Sequence, residues 1–156
     1  MRTSKTVLPI LLLLTLFFVA CEEDNETNFT APLAGASEVP PVTTSASGRA
    51  DFTHNEDTDT IDFALNVTNI SNGFAAHIHS GTAGVNGPIL VTLFMGPNTG
   101  PNFTGQLASG TIDAGDITGM TVAQLVAAMR GGQTYVNVHT DQNPNGEIRG
   151  QIVNLD

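Results

Sequence analysis

The sequence predicts an all-β, mainly antiparallel domain: a β-sandwich or partly closed barrel with one short helix near 121–130. Three observations predict it. Most segments alternate apolar and polar residues with period two. Clusters of glycine, asparagine and proline separate them at short intervals. One segment alone, "TVAQLVAAMRGG" (121–132), carries helical spacing.

The elements follow in order. "SEVPPVTTS" (37–45) is excluded from a central strand because Pro40 and Pro41 lack N–H donors, so extended edge structure is expected. "GRADFTH" (48–54) sets Ala50 and Phe52 against Arg49, Asp51 and Thr53. "TIDFALNV" (60–67) sets Ile61, Phe63, Leu65 and Val67 against Asp62 and Asn66. With "NEDTD" (55–59) as the turn, 48–67 reads as a hairpin of half-buried strands. Residues 75–79 form a strand before the glycine-rich turn "SGTAGVNG" (80–87). "PILVTLF" (88–94), nearly all apolar, is expected to be a central strand, and "FTGQLASGTI" (103–112) alternates weakly.

The helix follows. Val122, Leu125, Val126 and Met129 share one face. Thr121 and Gln124 make a capping box, Arg130 complements the dipole in the last turn, and Gly131 or Gly132 takes the left-handed cap. "TYVNVHT" (134–140) and "GEIRGQIV" (146–153) flank the turn "DQNPN" and form the last hairpin.

The N-terminal residues carry a different message. Arg2 and Lys5 precede the apolar run "VLPILLLLTLFFVA" (7–20), which is the length of a signal-peptide core and short for a membrane span. "FVAC" (18–21) resembles a bacterial lipobox. That resemblance implies cleavage before Cys21, the only cysteine, and lipid on its sulfur and new amine. Several acyl chains on one residue give stable membrane anchoring. "CEEDNETN" (21–28) reads as an acidic flexible tether, since no apolar residue precedes Phe29. An acidic run in this place resembles the surface-export signals of some lipoproteins. The expected organisation is a signal peptide over 1–20, a lipidated tether over 21–28 and one β domain over 29–156. The expected location is the outer membrane, facing the periplasm or the cell surface.

Charge narrows the partners. The formal net charge is −10, and Arg49, Arg130 and Arg149 are the only basic side chains after Lys5. Such a surface repels phosphate backbones, so nucleic-acid binding is not expected.

Four stretches then line up: "LAGASEVPPV" (33–42), "AAHIHSGTAGVNGPILVTLF" (75–94), "GGQTYVNVHT" (131–140) and "NPNGEIRGQI" (143–152). Together they resemble the CHRD domain, named from chordin, from about Phe29 to Val153. The resemblance implies an extracellular β-rich domain and no established enzyme activity. In chordin the domain belongs to a protein that binds bone morphogenetic proteins, a ligand with no place in a bacterial lipoprotein.

The histidines are the chemical candidates. Residues two apart on a strand share a side, so His77 and His79 project together and Ile78 opposes them. By the same rule Tyr135, Asn137 and His139 point away from the core face of Val136 and Val138. Glu147, Arg149 and Gln151 point away from that of Ile148 and Ile152. All are read as solvent-side. If 75–79 lies beside 134–140, the three imidazoles converge into a candidate site for copper or zinc, with Asp141 or Glu147 as a candidate fourth ligand. The H-x-H strand and its glycine loop are also similar to a ligand strand of copper/zinc superoxide dismutases. This chain lacks the bridging histidine and a second histidine cluster, and His54 lies on the 48–67 hairpin. Catalysis is therefore not expected. Two other readings stand beside the metal. In one, the histidines, Asn137 and Glu147 form a structural polar network, with a surface ion pair between Glu147 and Arg149. In the other, this face recognises an envelope or extracellular protein or a glycan. The expectation is a lipid-anchored, non-enzymatic binding or scaffold module, with metal binding as the alternative.

Overall fold

The computed structural model describes residues 25–155; the signal segment, Cys21 and the start of the tether lie outside them. The described residues form nine strands and one α-helix. In chain order these are β1 (Glu26–Ala34), β2 (Ser47–Asn55), β3 (Thr60–Ile70), β4 (Gly73–Ser80) and β5 (Ile89–Met95). Then come β6 (Phe103–Ile112), α1 (Val122–Arg130), β7 (Thr134–Thr140), β8 (Ile148–Gln151) and β9 (Val153–Asn154). All pairings are antiparallel, in the order β5-β4-β7-β8-β1-β2-β3-β6, with β9 also on β1. The sheet curls into a nearly closed barrel. No helix among the described residues is long and apolar enough to cross a membrane.

The period-two pattern accounts for the barrel's filling. Phe29, Ala31 and Leu33 of β1, Ala50 and Phe52 of β2, and Ile61, Leu65 and Val67 of β3 turn inward. They meet Ile78 of β4, Val136 and Val138 of β7, and Ile148 and Ile152. Helix α1 lays Val122, Leu125, Val126 and Met129 on the same core. Its capping box forms as expected: Gln124 N–H donates to Thr121 Oγ1 at 3.2 Å, and Thr121 N–H donates to Gln124 Oε1 at 2.9 Å. Gly132, not Gly131, takes the positive φ.

Four expectations change. Strand β1 begins at Glu26, so residues 26–28 belong to the sheet and not to the tether. Thr27 pairs with His54 and accepts a hydrogen bond from Arg130, which gives the polar start of the strand its partners. β5 ends the hydrogen-bonded order and is not central. Its apolar run has another cause. The β4–β5 register slips between Ala76 and His77 and again between Ile78 and His79. The segment after β6 covers its free edge, where Thr118 N–H donates to the Leu90 carbonyl at 2.8 Å. Residues 37–45 pair with no strand: a 3-10 turn at Gly35–Ser37 leads into an irregular path containing a cis Val39–Pro40 bond. The last stretch divides into β8 and β9 at Ile152, whose N–H donates back to Thr134.

Candidate metal centre

Strands β4 and β7 are neighbours, with His77 opposite Asn137 and His79 opposite Tyr135. His139 therefore lies diagonally from His77, within side-chain reach on the same face. The imidazoles of His77, His79 and His139 converge: one nitrogen from each lies within 4.8 Å of the others. His77 Nδ1 and His139 Nε2 are 3.0 Å apart. Nitrogens on a common metal with bonds of ~2.0 Å stand about 3.4 Å from one another, so a small side-chain rotation brings the set to coordination distance.

The ring orientations follow from two loop carbonyls. His79 Nδ1 lies 2.9 Å from the Gly87 carbonyl, and His139 Nδ1 lies 3.0 Å from that of Pro144. A carbonyl oxygen only accepts, so both Nδ1 atoms carry the proton. Both Nε2 atoms are then left as lone-pair donors. His77 Nδ1–H donates to His139 Nε2. His79 Nε2 is buried without a partner in good hydrogen-bond geometry, and the Asn137 side chain is the polar group that acts on its ring. Gly87 must be glycine for this arrangement, because a Cβ there would collide with the Ser80 carbonyl oxygen.

The reading of this face as solvent-side is overturned. Every residue of β7 is buried, and His77, His79 and His139 are 6%, 8% and 9% exposed. The outer face is roofed by loops. Arg149, 1% exposed, donates to Asn86 Oδ1 and to the carbonyls of Thr82 and Val85, which ties loop 81–87 down. Asn86 Nδ2 donates to the Val39 carbonyl and brings the proline loop over the top. Burial pushes the His77 pKa down to about 4, with His139 and His79 adding to the shift. Burial also lowers His79 and His139; the Gly87 and Pro144 carbonyls, and for His79 the Asn137 side chain, oppose that shift in part. The triad is neutral at pH 7, as metal ligands must be.

Other candidates fall elsewhere. Glu147 and Arg149 form no ion pair: Glu147 accepts from Thr44 Oγ1 at 2.6 Å and Thr140 Oγ1 at 2.7 Å, while Arg149 spends its donors on the loop. Neither Glu147 nor Asp141 joins the imidazole group, and Asp141 instead accepts from Asn98 at 2.9 Å. His54 sits on β2, its Nε2 3.6 Å from Asp59, and is not part of the triad. Asn137 stands among the imidazoles, and its side chain interacts with His79.

Two participants had no advance notice. Tyr135 stacks on His79 with centroids 4.9 Å apart and planes 5° from parallel, and the Arg149 guanidinium covers its other face at 3.4 Å. The alternation that put Tyr135 on the histidine face was the available signal. Glu38 is buried beside Gly146, and burial pushes its carboxyl up to about 7 against the pull of Arg149. Nothing in "SEVPP" marks it as buried.

The pieces that build this centre are the pieces that carry the sequence resemblance: the H-x-H strand, the glycine loop that holds His79, and the strand and turn that hold His139. No curated protein and no solved structure matches the chain. The CHRD domain family model matches residues 29–152, from the first core aromatic of β1 to the last core isoleucine, and the chain belongs to that family.

Proposed function

We propose that this chain is a lipid-anchored CHRD module of the cell envelope, non-enzymatic, whose ligand is a transition-metal ion, copper or zinc, at His77, His79 and His139. One observation carries the reading. Two loop carbonyls fix the tautomers of His79 and His139 so that their Nε2 lone pairs turn toward a shared point. A ligand histidine whose second nitrogen donates to a carbonyl is the usual outer shell of a metal site.

The anchor rests on the sequence: the apolar segment 7–20 and the cysteine at 21. These features support a position at the outer membrane, facing the periplasm or the cell surface. The net charge of −10 speaks against nucleic acid.

The test is metal content and titration of the full chain, purified in detergent without chelator or histidine tag, beside His77→Ala and His139→Ala. Stoichiometric copper or zinc, lost in both variants, is expected. A wild-type protein that holds no metal at micromolar free ion would return the triad to the scaffold. Cys21→Ser is expected to release the protein from the membrane fraction.

A further inference from the structure

We infer that the ion this centre selects is monovalent copper. The inference rests on the metal reading above and adds which ion is taken. Three features carry it.

The first is the donor set. The ligand group holds three imidazoles and, among the described residues, no carboxylate. Of the nearby acids, Glu147 is held by two threonines and Asp141 by Asn98, and the buried Glu38 lies outside the imidazole group. A divalent ion here would keep its whole charge inside a buried site. The cost of burying charge rises with its square, so a monovalent ion loses far less on leaving water.

The second is Arg149. Its guanidinium lies 3.4 Å from the centroid of Tyr135, and that ring lies 4.9 Å from the ring of His79. A permanent cation thus stands directly behind a ligand ring, locked in place by Asn86 and two carbonyls. At a separation of ~8 Å and an effective dielectric of ~20, each unit of charge on the metal loses about thirty-fold in affinity.

The third is coordination number. Zinc takes four ligands, whereas the soft monovalent copper ion accepts three. The cavities beside the centre, about 420 Å³ and 230 Å³, are lined by the proline loop, by neighbouring loop residues and by Arg149 and Gln151. No imidazole lines either of them, so neither opens a water-filled fourth position on the metal.

The experiment titrates the full chain anaerobically with Cu(I) in competition with bathocuproine disulfonate, and separately with Zn(II) and Co(II). The expected result is stoichiometric Cu(I), absent in His79→Ala, with neither Zn(II) nor Co(II) retained at micromolar free metal. The copper complex should also stay silent in electron paramagnetic resonance after air is admitted. Stoichiometric Zn(II) or Co(II) at sub-micromolar free ion, or a Cu(II) signal growing in air, would overturn the selectivity and leave the metal site standing. Failure to bind any of the three ions would remove the site itself.

Discussion

His139 Nε2 accepts the N–H of His77 Nδ1 at 3.0 Å, although the two residues are diagonal and not opposite on their paired strands. The bond joins two buried rings: burial opposes the first added proton, and a second would set like charges side by side. This gives acid a specific target. His77 has its pKa lowered to about 4 from an ordinary value of 6.5. Between those values the unfolded chain binds a proton that the folded chain refuses. The stability held above pH 6.5 is therefore lost as pH falls toward 4, by on the order of 2 kcal/mol. Denaturant midpoints of the metal-free protein across that range should fall with acid, and less steeply in His77→Ala.

Glu38 works in the opposite direction. Its folded pKa of about 7 lies above the ordinary 4.5, because burial opposes ionisation. Its contribution is present below pH 4.5 and is lost as pH rises to 7. Glu38→Gln removes that loss. The variant should match the wild type near pH 4 and exceed it by on the order of 2 kcal/mol at pH 8, read by urea denaturation at both values.

Gly87→Ala drives a methyl into the Ser80 carbonyl and displaces the Gly87 carbonyl that orients His79. A cost of about 1–3 kcal/mol is expected from the overpacking. Metal affinity should fall ~10–100-fold through the lost outer-shell bond. Unchanged affinity in a variant with lowered melting temperature would show that the carbonyl does not orient the ligand.

Arg149→Ala strips three donors from loop 81–87 and uncovers Tyr135. Several buried acceptors lose their partner together, so the loss should reach ~3 kcal/mol or more. Hydrogen exchange should rise first in residues 81–87. Uniform acceleration across the barrel would mean that Arg149 supports the whole sheet and not the loop.

Strand alternation alone settled which side chains fill the barrel. Ala50, Phe52, Ile61, Leu65, Val136 and Val138 were legible as core because a two-residue period leaves one face to bury. Helix α1 was equally legible, since its cap and its spacing are both local. Strand β1 escaped notice although Phe29, Ala31 and Leu33 alternate, because Pro32 and a polar start blur the pattern. β5 reads as central because an apolar run looks the same at the centre of a sheet and at an edge covered by another segment.

For the centre, the sequence by itself determined that His77 and His79 share a side, that Asn137 and His139 share another, and that the chain resembles the CHRD family. The tertiary structure decided the rest. Adjacency of β4 and β7 joins residues about sixty positions apart, and no local pattern encodes it. Alternation divides a strand into two faces without saying whether the second meets water. Here loops 35–46, 81–87 and 141–147 cover it, through single contacts such as Asn86 to Val39 and Arg149 to Val85. The proton positions on His79 and His139 are set by carbonyls that only the folded chain brings within 3.0 Å.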